Sequence, residues 1–263
     1  MSLVEAGQTE IDVPLPPPPR AEPATIALFL DVDGTLVDFA ARPDSVVVDA
    51  ALRPVLRKLA VQLGGALAAI SGRPLHEIDA LLDLPTAAAA GLHGAQLRAA
   101  DGRILAAPHD HSPLQVARLR AALLAAAHPG VLVEDKGSAI ALHYRMAPIA
   151  ETAVRRAAVE MLQATGPGYE LLQGNRVVEL KPAETNKGTA LSALMQTQPF
   201  AGRTPWVIGD DLTDEDAFQR ANVLGGVSVI VGPRRPTLAH YALTNPAAAR
   251  AWLASLLENE VTA

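Results

Sequence analysis

Ile26-Ala27-Leu28-Phe29-Leu30-Asp31-Val32-Asp33-Gly34-Thr35 decides how the rest of the chain is read. Five consecutive apolar residues stopped by an aspartate make a strand buried on both faces, the kind found inside a parallel sheet. Strand period puts Asp31 and Asp33 on one side if the strand extends that far. Two carboxylates so close repel, so keeping both ionised needs a compensating cation, and a hard, oxygen-loving ion such as Mg²⁺ meets that need. Gly34 lets the backbone turn sharply and brings amide hydrogens near an anion. A single Asp after a strand is commonplace; the D-x-D-G-T spacing behind an apolar run is not. Ligands of open α/β sheets bind beyond the carboxyl ends of the strands, which is where this stretch leads.

Outward from that strand, the spacing predicts an amphipathic helix over about 49–63, with Leu52, Leu56, Leu59 and Leu63 on one stripe. A second buried run, Ala66 to Ile70, ends in Ser71-Gly72-Arg73-Pro74. Pro74 suits the first turn of the next helix, whose buried side is Leu75, Ile78, Leu81 and Leu82. Strand, helix, strand, helix indicates a sheet with crossover helices. Asp101-Gly102 then reads as a hairpin turn. From about 110 to 180 the pattern becomes helix (113–127), two strands, helix (148–164), two strands, with turns at Lys136-Gly137 and Gly174-Asn175. After 181 the first rhythm resumes: a helix from near Thr185, a strand at Trp206-Val207-Ile208, a helix capped by Thr213 with Asp216, a strand at Val227 to Val231 and a last helix at about 246–257.

The expected architecture is α/β: a Rossmann-like parallel-sheet core with helices on both faces, plus an inserted α+β module of two αββ units sharing an antiparallel sheet. The core occupies 24–108 and 181–263, the insert 109–180. Residues 1–23, with Pro14 and Pro16 to Pro19, read as a flexible, solvated leader.

Composition narrows the function. The 263 residues are 49% hydrophobic, which excludes a disordered chain, and the absence of cysteine excludes thiolate zinc sites, disulfide scaffolds and cysteine nucleophiles. With 22 basic against 28 acidic residues the net charge is −6, and no basic block is present; nucleic acid and anionic membranes are not expected partners. No apolar run approaches the roughly 18 residues of a membrane span. Glu5, Glu10 and Asp12 argue against a secretory signal, so a cytoplasmic protein is expected, a monomer in preference to an oligomer with the oligomeric state left open.

Further polar groups fall at or near the ends of the other core strands. Ser71 offers a hydroxyl and a helix start to phosphate oxygens. Asp210, Asp211 and Asp214 follow the strand at 206–208, and Lys187 opens the helix leading into it. Singly, Ser71 could be a plain cap, Lys187 a surface lysine and the acids a solvated helix start. Together they supply a nucleophile, an acid, metal ligands and fixed positive charge.

The residues D31-V-D-G-T35, S71-G-R73, N186-K-G188 and G209-D-D-L-T-D-E-D216 resemble the four motifs of the haloacid dehalogenase superfamily of phosphohydrolases. With G91-L-H-G94, A141-L-H-Y-R145 and R176-V-V-E-L-K-P182, the chain is more similar still to the trehalose-6-phosphate phosphatases, from about 26 to 257. The resemblance implies that Asp31 attacks phosphorus and becomes an aspartyl-phosphate, while Asp33 protonates the leaving sugar oxygen and later takes a proton from water. It implies one Mg²⁺ on the Asp31 carboxylate, the Asp33 carbonyl and Asp210, with Asp214 nearby, orienting a metal-bound water or Lys187. Gly34, Thr35 and Arg73 fall among the binding positions, and Ser71 and Lys187 neutralise the phosphoryl oxygens. Lys181 competes with Lys187 for that role, and Asp211 has none.

The insert becomes a cap in this reading. Glu134, Lys136 and Glu179 resemble the family's acidic–basic–acidic grip on sugar hydroxyls, although a charged strand face is by itself more often just solvated. His143 and Arg145 share a strand face that could line the same cleft, and His93 reads as a structural histidine. The expected reaction is hydrolysis of trehalose 6-phosphate. Alternatives are a phosphatase for another sugar phosphate such as sucrose phosphate, a phospho-aspartate signalling module, and a silent sugar-phosphate sensor.

Overall fold

The computed structural model describes residues 14–38, 46, 48–105, 112–174 and 176–257. Among them, the expected central run is β1 (Ile26–Leu30), every residue of it buried. It pairs in parallel with β2 (Leu67–Ile70) on one side and β9 (Thr204–Gly209) on the other. Beyond these lie β3 (Ala88–Gly91) and β4 (Gln96–Arg98) at one edge, and β10 (Val227–Val231) and β11 (Tyr241–Leu243) at the other. The order is β11-β10-β9-β1-β2-β3-β4, with β4 antiparallel. β1 therefore sits mid-sheet, and its carboxyl end opens where the chain leaves β1 towards β2 on one side and leaves β9 towards β10 on the other.

Helices α1 (Leu52–Gln62), α2 (Leu75–Leu82) and α7 (Pro246–Ser255) pack beside one another; α5 (Lys187–Leu194) lies against α6 (Glu215–Val223). Phe29 stacks on Phe200 with ring centroids 5.4 Å apart, so an aromatic contact reinforces the apolar burial around β1.

The insert forms a four-stranded antiparallel sheet in the order β5-β6-β8-β7. Its strands are β5 (Leu132–Asp135), β6 (Ile140–His143), β7 (Tyr169–Gly174) and β8 (Val177–Pro182). Helices α3 (Leu114–Ala127) and α4 (Glu151–Thr165) cover one face and share a core with Ile140, Leu142, Val178 and Leu180. Alternation then turns Glu179 to the opposite face, as the period-two reading requires. No helix among the described residues is long and apolar enough to cross a membrane.

Four details differ from expectation. β3 and β11 were not foreseen. Thr213 does not cap the helix after β9: Asp211 does, accepting from the Thr213 amide at 2.7 Å at the head of a 3-10 turn, Leu212–Asp214, that precedes α6. Asp is preferred over Thr at an N-cap, where its carboxylate accepts from the unsatisfied amides of the first turn. Pro74 stands at the N-cap of α2 rather than inside it. Residues 1–13 of the leader and Asn175 of one expected turn lie outside the described residues, but residues 14–23 are seated on the core. The Pro16 carbonyl accepts from the Ala242 amide at 2.9 Å along β11, and Ala21 is buried.

Candidate active site

Asp31 follows the last residue of β1, and its amide donates to the Ile208 carbonyl at 2.9 Å, which ties the first motif to β9. Its Oδ1 accepts from Lys187 Nζ at 2.7 Å. Lys187 reaches this point because Asn186 caps α5, with a reciprocal capping box to Thr189, and so fixes Lys187 as the first helical residue. The same ammonium donates to Asp214 Oδ1, also at 2.7 Å. All three side chains are buried.

Asp214 is anchored in turn by the Asp210 and Asp211 amides, each donating to Oδ2 at 3.1 Å. Asp210 Oδ1 accepts from the Thr35 hydroxyl at 3.1 Å. Among the described residues, carboxylate oxygens of Asp31, Asp210 and Asp214 lie within 4.8 Å of one another. Burial pushes the Asp31 carboxyl well above its ordinary value despite Lys187, and raises Asp214 as well. Burial, with Asp214 and Asp211 alongside, lifts Asp210 to about 7. Against the burial that would lower it, Asp214 and Asp31 hold the Lys187 ammonium well above its usual value. The cluster thus gathers more negative than positive charge in a desolvated place. Hard oxygen donors with uncompensated charge fit a divalent cation such as Mg²⁺.

Asp33 is held apart from that cluster. Both its oxygens accept from Arg73, at 2.6 and 2.7 Å, and Arg73 also donates to Glu77 at 3.1 Å. The two carboxylates keep Arg73 charged although burial works the other way. Gly34 (φ 86°) turns the chain immediately after Asp33, but its amide donates to the Val37 carbonyl and the Thr35 hydroxyl donates to Asp210. Those two residues support the site from behind rather than facing the cleft.

The cleft of about 990 Å³ lies between the strand ends and the insert, lined by Asp31, Asp33, Ser71, Lys187 and Asp210 below and by Glu134, Lys136 and Glu179 above. Lys136 Nζ donates to Glu179 Oε2 at 2.9 Å and, across the cleft, to the Gly72 carbonyl at 2.9 Å. Burial would raise the Glu179 carboxyl, but Lys136 foremost brings it down to about 2. His143 Nε2 is 2.8 Å from Glu134 Oε2, and His143 and Arg145 line the cleft together.

Three readings change here. Lys181 does not compete with Lys187: it is buried away from the cluster, paired with Glu170 and donating to the Thr185 carbonyl. Asp211, left without a role, caps the turn that presents Asp214. His93 is not a satisfied structural residue. It lines the cleft, and its buried Nδ1 has no hydrogen-bond partner among the described residues. A Leu-His pair between two glycines was the available hint of an unusual turn.

Residues 29–247 match the family described as Trehalose-phosphatase. The chain is similar to a probable trehalose-phosphate phosphatase of Sinorhizobium fredii, at 45% identity over 80% of this chain and 79% of that one. It is also similar to the trehalose-6-phosphate phosphatase of Escherichia coli, at 44% identity over 80% and 78%. A solved structure, a trehalose-6-phosphate phosphatase related protein, superposes with a TM-score of 0.77 at 26% identity, covering 90% of this chain and 99% of that one.

Proposed function

The chain belongs to the trehalose-phosphatase family and is a phosphatase, and from that premise we propose that it hydrolyses trehalose 6-phosphate to trehalose and phosphate through an aspartyl-phosphate on Asp31. One observation carries the reading: the carboxylate–lysine cluster at the strand ends and the charged trio Glu134, Lys136 and Glu179 face each other across one cleft. The first is chemistry for a phosphoryl group; the second suits the hydroxyls of a neutral disaccharide, since carboxylates accept from hydroxyls and lysine donates to them.

A carboxylate oxygen of Asp31 forms the new bond to phosphorus while the bond from phosphorus to the sugar oxygen breaks. Asp33 gives that oxygen its proton, which requires it to exchange its Arg73 partner for the substrate. It then takes a proton from the water that cleaves the acyl-phosphate and releases Asp31. Ser71 and Lys187 hold the phosphoryl oxygens, because phosphoryl transfer depends mainly on positioning and charge neutralisation. Asp214 keeps Lys187 aimed. Asp31, Asp210 and the Asp33 carbonyl would hold Mg²⁺, with Asp214 beside them, and the ion when bound supplies further charge neutralisation at the phosphoryl group.

Phosphate release across a panel of sugar phosphates tests the assignment. Trehalose 6-phosphate is expected to exceed sucrose 6-phosphate and glucose 6-phosphate in kcat/KM by at least about a hundredfold, the size of two or three well-made polar contacts. Equal specificity constants for glucose 6-phosphate would remove the cap trio as the source of selectivity.

A further inference from the structure

The turn Leu92–Gly94 after β3 contributes no group to the chemistry above, yet it meets the Ser71–Arg73 loop, the start of α5 and Glu179 of the insert. Leu92 and His93 both adopt left-handed backbone angles, φ 51° and 53°. Two consecutive non-glycine residues in that region cost conformational energy, and such strain persists where surrounding contacts over-determine it.

The contacts are specific. The Leu92 amide donates to the Arg73 carbonyl and the His93 amide to the Ser71 carbonyl, each at 3.0 Å, so the turn braces the phosphate-side loop. A Cβ on Gly94 would stand 2.9 Å from the Asn186 carbonyl, so the turn also abuts the cap of the helix that carries Lys187. The His93 ring packs against Gly72, where an added Cβ would meet Nε2 at 2.6 Å. From there Nε2 points at Glu179 Oε2 across the cleft, 3.8 Å away. Glu179 is buried, and its other oxygen, Oε1, has no hydrogen-bond partner among the described residues.

A buried carboxylate with one oxygen held and one unmet is an acceptor awaiting a donor. We infer that His93 is a positioning residue for the sugar: braced on the loop that carries Ser71, it holds Glu179 from the core side while Lys136 holds it from the cap, so that Oε1 meets a substrate hydroxyl at a fixed reach from the phosphate. The span from phosphate to that hydroxyl is thereby set by the core as well as by the cap. A disaccharide phosphate meets both ends at once, and a longer or shorter ester does not. This rests on the proposed activity towards trehalose 6-phosphate.

Steady-state kinetics on trehalose 6-phosphate, using the full chain with Mg²⁺, test it. His93→Asn keeps a residue tolerant of the left-handed region but shortens its reach. KM is expected to rise about tenfold with kcat within about threefold, the size of one misplaced contact to a charged group. His93→Gln, which again extends a nitrogen towards Glu179, is expected to recover part of that loss. Gly72→Ala leaves His93 in place but displaces its ring, and is expected to raise KM in the same direction whether or not the His93 variants fold. An unchanged KM in soluble, folded His93→Asn, a fall in kcat alone, or a Gly72→Ala enzyme with wild-type KM would each overturn the role of His93. A wild-type enzyme that releases no phosphate from trehalose 6-phosphate overturns the functional reading itself and takes this inference with it.

Discussion

Asp31→Asn is expected to lower phosphate release from trehalose 6-phosphate by roughly 10⁴-fold or more, about 5 kcal/mol of barrier, while the protein stays folded. The amide keeps the size of the carboxylate and can still accept from Lys187 Nζ through its oxygen, and Lys187 retains Asp214 at 2.7 Å. What it loses is the nucleophilic oxygen, for which an amide is a poor substitute. Turnover by phosphate assay and a denaturant midpoint on the same preparation check both halves. A folded variant that retained a tenth of the wild-type rate would remove Asp31 as nucleophile.

Lys187→Met fails differently. Removing one partner of a buried ion pair costs roughly 3–5 kcal/mol because the other charges stay behind without compensation. Here the residue that leaves serves two acids, Asp31 and Asp214, with Asp210 close by. Catalysis is expected to fall as well, by about 10²–10³-fold, the usual cost of one preorganised charge.

The stability loss has a direction in pH. Burial holds the Asp31 and Asp214 carboxyls above their ordinary values and Asp210 at about 7. A carboxyl raised on folding favours its protonated form in the native state. Its contribution to stability is therefore complete below the unfolded value and is lost as pH climbs through the folded one. Without Lys187 to offset them, these groups should make the variant's deficit small near pH 4 and large by pH 8. Mg²⁺ at pH 8 should restore part of it by supplying the missing positive charge. Urea midpoints across that range, with and without Mg²⁺, read the effect. A deficit larger at pH 4 than at pH 8 would contradict the charge account.

How much of this was legible in the chain depended on what carried the signal. β1, β2, β9 and β10 could be read because strands buried on both faces leave near-continuous apolar runs. β3 could not: Ala88-Ala89-Ala90-Gly91 has no strand propensity of its own and is a strand because β2 and β4 flank it. β11 has three half-buried residues at the sheet edge, too short for any period to show. In the site, Asp31, Ser71, Lys187 and the acids after β9 were legible because each ends a strand or opens a helix in a recognisable order. The Arg73–Asp33 pair joins residues 40 apart in sequence, and no local pattern announces it. Lys181 was misread for a related reason, since a lysine that satisfies a buried carbonyl looks in sequence like one available for chemistry, and Asp211 had no readable role because the turn it caps is not visible in the sequence. For His93 the flanking glycines hinted at a turn and no more, because its contact is made across the cleft to a residue far away in sequence.

The central claim is that Asp31 takes the phosphoryl group beside a divalent ion held with Asp210. Crystals grown with Mg²⁺ and beryllium fluoride test it most directly, since trifluoroberyllate mimics a phosphoryl group on a carboxylate. The account predicts beryllium bonded to an Asp31 oxygen, with Mg²⁺ between Asp31 and Asp210 and with Ser71 and Lys187 on the fluorides. Beryllium on any other side chain, or a bare Asp31 in crystals of enzyme that the same reagent inhibits, would contradict it.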